Sequence, residues 1–150
     1  MIIENVSDSE ALAALDACAR GEQAWSAARF ETLGHDERYR LIGLLALPTR
    51  QLMAFAVIAF GPFDLELEMI AVDPQHRRSG LAGRLIEAMI DEGSGRGMER
   101  VLLEVRASNE AARALYARHG FAEDGCRAGY YPISPGRRED AILMSRPLAC

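Results

Sequence analysis

The chain has 150 residues, a formal net charge of −5, 49% hydrophobic and 26% charged residues, and three cysteines, Cys18, Cys126 and Cys150. That length suits one domain over residues 1–150; the negative charge argues against direct nucleic-acid binding and suits a basic polypeptide partner; and an odd number of distant cysteines makes neither a disulfide framework nor a zinc pattern. No apolar run reaches the ~18 residues of a membrane span, and MIIENVSDSE lacks the basic start and apolar stretch of a signal peptide, so no membrane association and a reducing cytoplasm are expected.

Residues 1–6 read as a short strand. SDSEALAALDACAR opens with capping residues and continues with good helix formers, and Trp25 to Leu33 reads as a second short helix. YRLIGLLAL and LMAFAVIAF are apolar runs split by PTRQ, a strand–turn–strand. LELEMIAV alternates at its start and stops at Asp-Pro. A helix is expected from about Gly80 to Asp91, with Leu81, Leu85, Ile86, Met89 and Ile90 on one face and GSGRG closing it. RVLLEVRA is a strand, Glu110 to His119 a helix closed by Gly120, and two more strands are expected around Phe121–Tyr131 and Ala141–Ser145. The sum is an α+β fold, a mostly antiparallel mixed sheet flanked by helices.

All 17 basic residues are arginine. With no lysine there is no Schiff-base amine and no phosphate-binding lysine of a nucleotide loop. The stretch RRSGLAGRLIEAMI, Arg77 to Ile90, instead places two arginines and a small-residue turn at a helix start. Free backbone N–H groups and the helix dipole make such a turn an anion site, and arginines add charge-assisted donors. A nucleotide P-loop and a dinucleotide fingerprint both fail on spacing, leaving Arg77-x-x-Gly80-x-Ala82 on the pyrophosphate of coenzyme A. The motif alone is served equally by an ordinary strand–helix turn with a solvated arginine pair.

The second half adds more. IAVDPQHRRSGLAG, LEVRASN, ALYARHGF and the tail YYPISPGRREDAI together resemble the GCN5-related N-acetyltransferases, and within them the RimI family of N-terminal acetyltransferases of a ribosomal-protein alanine. The likeness runs from about Leu65 to Leu148; over residues 1–50 only AWSAARF carries it. Ala82 stands where a second glycine is more common, and GRREDA holds one residue more than the family's GREDA. The resemblance implies acetyl-CoA as co-substrate, held by Ile70, Ala71, Val72, Arg77, Arg78, Ser79, Gly80, Leu81, Ala82, Gly83 and Asn109. It implies the N-terminal alanine of small-subunit ribosomal protein eighteen as acceptor. The cofactor motifs do not separate this from another protein terminus, a lysine or a small amine, and a non-catalytic acyl-CoA-binding module is a further alternative.

The residues themselves leave two readings at each site. Glu104 shares a strand face with Leu102 and Arg106, which suits an exposed carboxylate or a partner for an arginine; the family makes it the base. Tyr116 shares a helix face with Ala112, Leu115 and His119, a core position; the family aims its hydroxyl at the thioester sulfur. Asn109 is a good N-cap that by resemblance also touches the cofactor. Tyr130, Tyr131 and Arg138 fall in the family's substrate-side loop, where a packed hairpin serves as well. His35, His76 and His119 show no metal-ligand spacing, so no metal is expected.

Overall fold

The computed structural model describes residues 1–148. In chain order the elements are β1 (Ile2–Asn5), α1 (Ser9–Arg20), a 3-10 turn (Gly21–Gln23), α2 (Ala27–Gly34), β2 (Tyr39–Leu45), β3 (Leu52–Phe60), β4 (Asp64–Val72), a second 3-10 turn (Pro74–His76), α3 (Leu81–Gly95), β5 (Arg100–Arg106), α4 (Glu110–Arg118), β6 (Ala122–Ser134) and β7 (Arg137–Pro147). The strands form one sheet in the order β1-β2-β3-β4-β5-β7-β6. Neighbours are antiparallel except β4 and β5, which are parallel and joined by the crossover through α3. No helix of the described residues is long and apolar enough to cross a membrane.

Each face of the sheet has its own core. Of the predicted stripe of α3, Leu81, Leu85, Ile86 and Met89 are buried with Ala54, Ile58 and Leu65, and Ile90 is partly buried against them. Leu12, Leu15 and Phe30 from α1 and α2 pack on Leu41, Phe55 and Val57 of the other face, with the Phe30 ring edge-on to Phe55 at 5.5 Å. Burying each such side chain contributes roughly 1.5–3 kcal/mol. Asp8 and Ser26 cap α1 and α2, accepting from the N–H groups of Ala11 and Arg29.

The functional geometry begins with a defect in β4. Val57 pairs with Met69 but Ile58 pairs with Leu67, so Glu68 is an extra residue, a β-bulge. The bulge reverses which face each side chain takes. Leu65 and Leu67 point into the α3 core, whereas Met69 and Ala71 belong to the α1–α2 core. Pairing with β5 stops at the same place: Asp64–Leu67 matches Arg100–Leu103, and beyond it both strands continue apart. A cleft opens between them.

Three elements outrun their expected bounds. α3 continues past Asp91 to Gly95; Gly93 is helical and small because a Cβ there would meet Leu148 Cδ1 at 2.9 Å, and the terminating glycine is Gly97, at φ 71°. β6 reaches Ser134. β7 spans Arg137–Pro147 rather than Ala141–Ser145, because it pairs with β5 on one side and β6 on the other.

Candidate active site

The turn after β4 opens α3 without a side-chain cap. Asp73 caps the 3-10 turn, accepting from Gln75 N–H. Gly80 then takes the N-cap of α3 in the left-handed region, φ 77°, with no side chain capping the helix. The N–H groups of the first turn are therefore left for a ligand. Arg78 is also left-handed, at φ 64°, and Arg77 donates to Ala19 O at 3.3 Å, tying the turn to the end of α1. Gly83 has a different cause: a Cβ there would meet His119 Nε2 at 3.1 Å, so it lets α4 pack close.

This turn forms one end of a cavity of about 420 Å³. One wall is the end of β4. Asp73 N–H bonds Met53 O, and in an antiparallel ladder bonded and non-bonded pairs alternate. Ala71 thus faces β3, while Ile70 and Val72 turn their backbone N–H and C=O toward the edge that β5 has left. The opposite wall is α4, with Asn109, Ala112, Leu115 and Tyr116. Asn109 Oδ1 accepts from Ala112 N–H at 3.2 Å, so it does cap α4.

A second cavity, about 310 Å³, occupies the gap between the parted strands. Glu68 and Glu104 line it with Arg106 and Tyr131, and Arg20 and Gln23 close it from the α1 side. The two cavities meet at Arg20, Ile70, Asn109, Ala112 and Tyr116.

The charges at this junction are mostly paired. Glu104 Oε1 lies 3.3 Å from Arg127 Nη2. Arg106 holds Glu139 at 2.9 Å, and hydrogen bonds from Ser108 and Arg106 keep the Glu139 carboxyl below the usual range. Glu68 has no cationic partner among the described residues. It is solvent-accessible, yet partial desolvation, then the charges of Glu66 and Glu104, raise its pKa against the pull of Arg29. Tyr116 is 6% exposed, and burial, with a smaller effect of Tyr131, pushes its hydroxyl up to about 12.

Of the residues singled out in the sequence, Ile70, Ala71, Val72, Arg77, Arg78, Gly80, Leu81, Ala82, Gly83 and Asn109 surround the larger cavity, and Ser79 does not line it. Glu104 and Tyr131 line the smaller one, and Tyr116 both. Tyr130 and Arg138 stay outside. The Tyr130 ring stacks edge-on against Tyr131 at 5.0 Å, and Arg138 donates to the backbone oxygens of Gly129 and Tyr130. Arg20, Gln23 and Glu68 were not among the predicted residues. The loss of alternation from LELE to MIAV marks the bulge that places Glu68; nothing local marks Arg20.

A capless helix start and an open strand edge line one cavity, and a carboxylate and a tyrosine line the cavity that joins it. The profile of the Acetyltransferase (GNAT) family matches residues 9–121, and the chain belongs to that family of N-acetyltransferases, which use acetyl-CoA. It is 42% identical to the ribosomal protein bS18-alanine N-acetyltransferase of Escherichia coli (strain K12) over 119 residues, 79% of this chain and 80% of the relative. The crystal structure of the ribosomal-protein-S18-alanine N-acetyltransferase from Escherichia coli superimposes with a TM-score of 0.88 at 37% identity, covering 99% of this chain and 94% of that one. An aminoglycoside 6'-N-acetyltransferase complexed with coenzyme A shares the fold, with a TM-score of 0.84 at 17% identity over 100% of this chain and 98% of that one.

Proposed function

We propose that residues 1–150 work as one domain that transfers acetyl from acetyl-CoA directly to the α-amino group of a protein N-terminal alanine, that of ribosomal protein bS18, in the cytoplasm. The observation that carries this reading is the meeting of the two cavities at Tyr116, with Glu104 on the acceptor side. The 42% identity to an enzyme of that name supports the choice of acceptor.

Acetyl-CoA supplies the activated acetyl group. Toward it the chain offers the first-turn N–H groups of α3 and the Arg77–Arg78 pair for the pyrophosphate, the outward backbone of Ile70 and Val72 for the pantetheine amides, and the Val72 N–H for the carbonyl oxygen as it gains charge. Glu104 takes the proton of the amine. An α-amine with a pKa near 8 is roughly a quarter neutral at about pH 7.5, while a lysine near 10.4 is only ~0.1% neutral. The difference, about 3.4 kcal/mol, is work a terminal amine does not ask of the base. Tyr116 stays protonated and steadies the departing sulfur through a hydrogen bond. Full proton transfer from a hydroxyl at about 12 to a thiolate near 8.5 is uphill by roughly 5 kcal/mol. Neither a metal nor an acyl-cysteine enters this scheme. Cys18 and Cys126 line neither cavity, and Cys150 lies outside the described residues.

Mass spectrometry of acetyl transfer to a peptide panel tests the reading. Ala-first termini should be modified ahead of other termini, and blocked peptides with free lysines far more slowly than either. Equal labelling of lysine side chains, or an acetyl-enzyme trapped on a cysteine, would overturn it.

A further inference from the structure

Arg20 closes α1, one turn after Asp16. Asp16 is the one charged side chain fully buried among the described residues, at 0% exposure. Both of its oxygens are engaged: Arg20 Nε reaches Oδ1 at 2.6 Å, Arg20 Nη2 reaches Oδ2 at 2.9 Å, and Trp25 N–H donates to Oδ2 at 2.8 Å. A buried ion pair adds little stability over an apolar pair of the same shape. What it fixes here is the place of a guanidinium. Arg20 keeps 26% of its side chain exposed and lines both cavities at their junction. Nε and one N–H of Nη2 are used on Asp16, while the two N–H groups of Nη1 donate to nothing among the described residues.

The remaining donor calls for a particular acceptor. A cation at this point repels an ammonium and attracts an oxygen. An α-amine carries such an oxygen close by, on the carbonyl of its own residue. The amine of a lysine side chain does not. The cleft carries Glu68 and Glu104 on the strand side, where the one lining cation among the described residues, Arg106, is held by Glu139, and Arg20 on the α1 side.

We propose that Arg20, clamped by the buried Asp16 where the two cavities meet, is a specificity residue that donates from Nη1 to the first backbone carbonyl of the acceptor and so selects α-amines over side-chain amines. The inference rests on the α-amine reading above and adds the residue that enforces it. Arg20 acts on the bound acceptor; Asp16 is a positioning residue that acts through it.

The test is steady-state kinetics on two peptides, one Ala-first and one with a blocked terminus and a free lysine, together with acetyl-CoA binding by calorimetry. The wild type should prefer the Ala-first peptide. Arg20→Met should cut that preference by roughly 10- to 100-fold, the range of a charge-assisted hydrogen bond, mainly through KM, with acetyl-CoA affinity held within about twofold. Arg20→Met strands a buried carboxylate, so the double variant Asp16→Asn/Arg20→Met, which removes both charges, guards against misfolding and should lose the same preference. Asp16→Asn alone keeps an acceptor for Trp25 N–H but loosens the clamp, and should shift the ratio in the same direction. Folded variants that retain the preference overturn the proposal, as does an equal loss on both peptides or a large rise in the acetyl-CoA dissociation constant. A wild type with no preference overturns the α-amine reading itself, and this inference with it.

Discussion

Glu104 sits on the wetter face of β5, between the buried Leu103 and Val105, with Arg127 as its partner. Two-residue alternation made that orientation legible in the sequence. As the base it should matter most where the amine is charged. Glu104→Gln should lower kcat/KM on an Ala-first peptide by ~10²–10⁴-fold below about pH 8, and the loss should shrink above it, where the amine is already neutral. A variant matching wild type below that pH would leave Glu104 a structural carboxylate. Tyr116 invites a test without substrate. Its hydroxyl ionises near 10.0 when unfolded and at about 12 when folded. The folded state therefore loses stability as pH rises through that window, because only the unfolded chain releases the proton. The full two-unit shift is worth about 2.7 kcal/mol. Tyr116→Phe should lack this part of the alkaline loss, read from denaturant melts at about pH 9 and 11.5. On the peptide its rate loss should be flat over about pH 7–9.

At the scale of elements, the glycines of the turn into α3 divide by cause. Gly80 is needed for its backbone angle: nothing lies within 4 Å of a Cβ placed there, but φ is +77°. Gly83 is close-packed instead: a Cβ there would lie 3.1 Å from His119 Nε2. Gly80→Glu adds bulk and negative charge at the proposed pyrophosphate site and should weaken acetyl-CoA binding by more than about tenfold, or ~1.4 kcal/mol. Gly83→Ala adds one methyl 3.1 Å from His119 Nε2 and no charge, so it should weaken acetyl-CoA binding far less than Gly80→Glu. Calorimetry on the two folded variants separates these outcomes, and an unchanged dissociation constant in Gly80→Glu removes the phosphate assignment. The same division shows what a sequence conceals. The apolar stripe of α3 was plain from Leu81, Leu85, Ile86 and Met89, since period and burial agree there. Its end was not, because Gly93 looks like a stop until Leu148 is seen against it. The length of β7 was set by partners on both sides, not by its own composition. Glu68 needed the bulge, and Arg20 needed the fold of α1 against the cleft. The break from LELE to MIAV hints at the first; no local pattern carries the second.

At the scale of the molecule, the sheet is two pieces held by a short seam. β1 to β4 form one half, and β5, β7 and β6 the other. They are joined where Asp64–Leu67 meets Arg100–Leu103. Beyond the seam, backbone groups of Ile70 and Val72 face a gap. A ligand laid in that gap, with one end on the start of α3, acts as a tie-rod between the halves, so the ligand-free enzyme should breathe about the seam. Saturating acetyl-CoA at about 100 times its dissociation constant should add roughly 2.7 kcal/mol to unfolding, visible as a concentration-dependent rise in Tm. Amide exchange at Ile70 and Val72 should slow with it, and at the already paired Ala71 should change least. Uniform slowing across the whole sheet would mean that the seam does not flex and that the halves open only when the molecule unfolds.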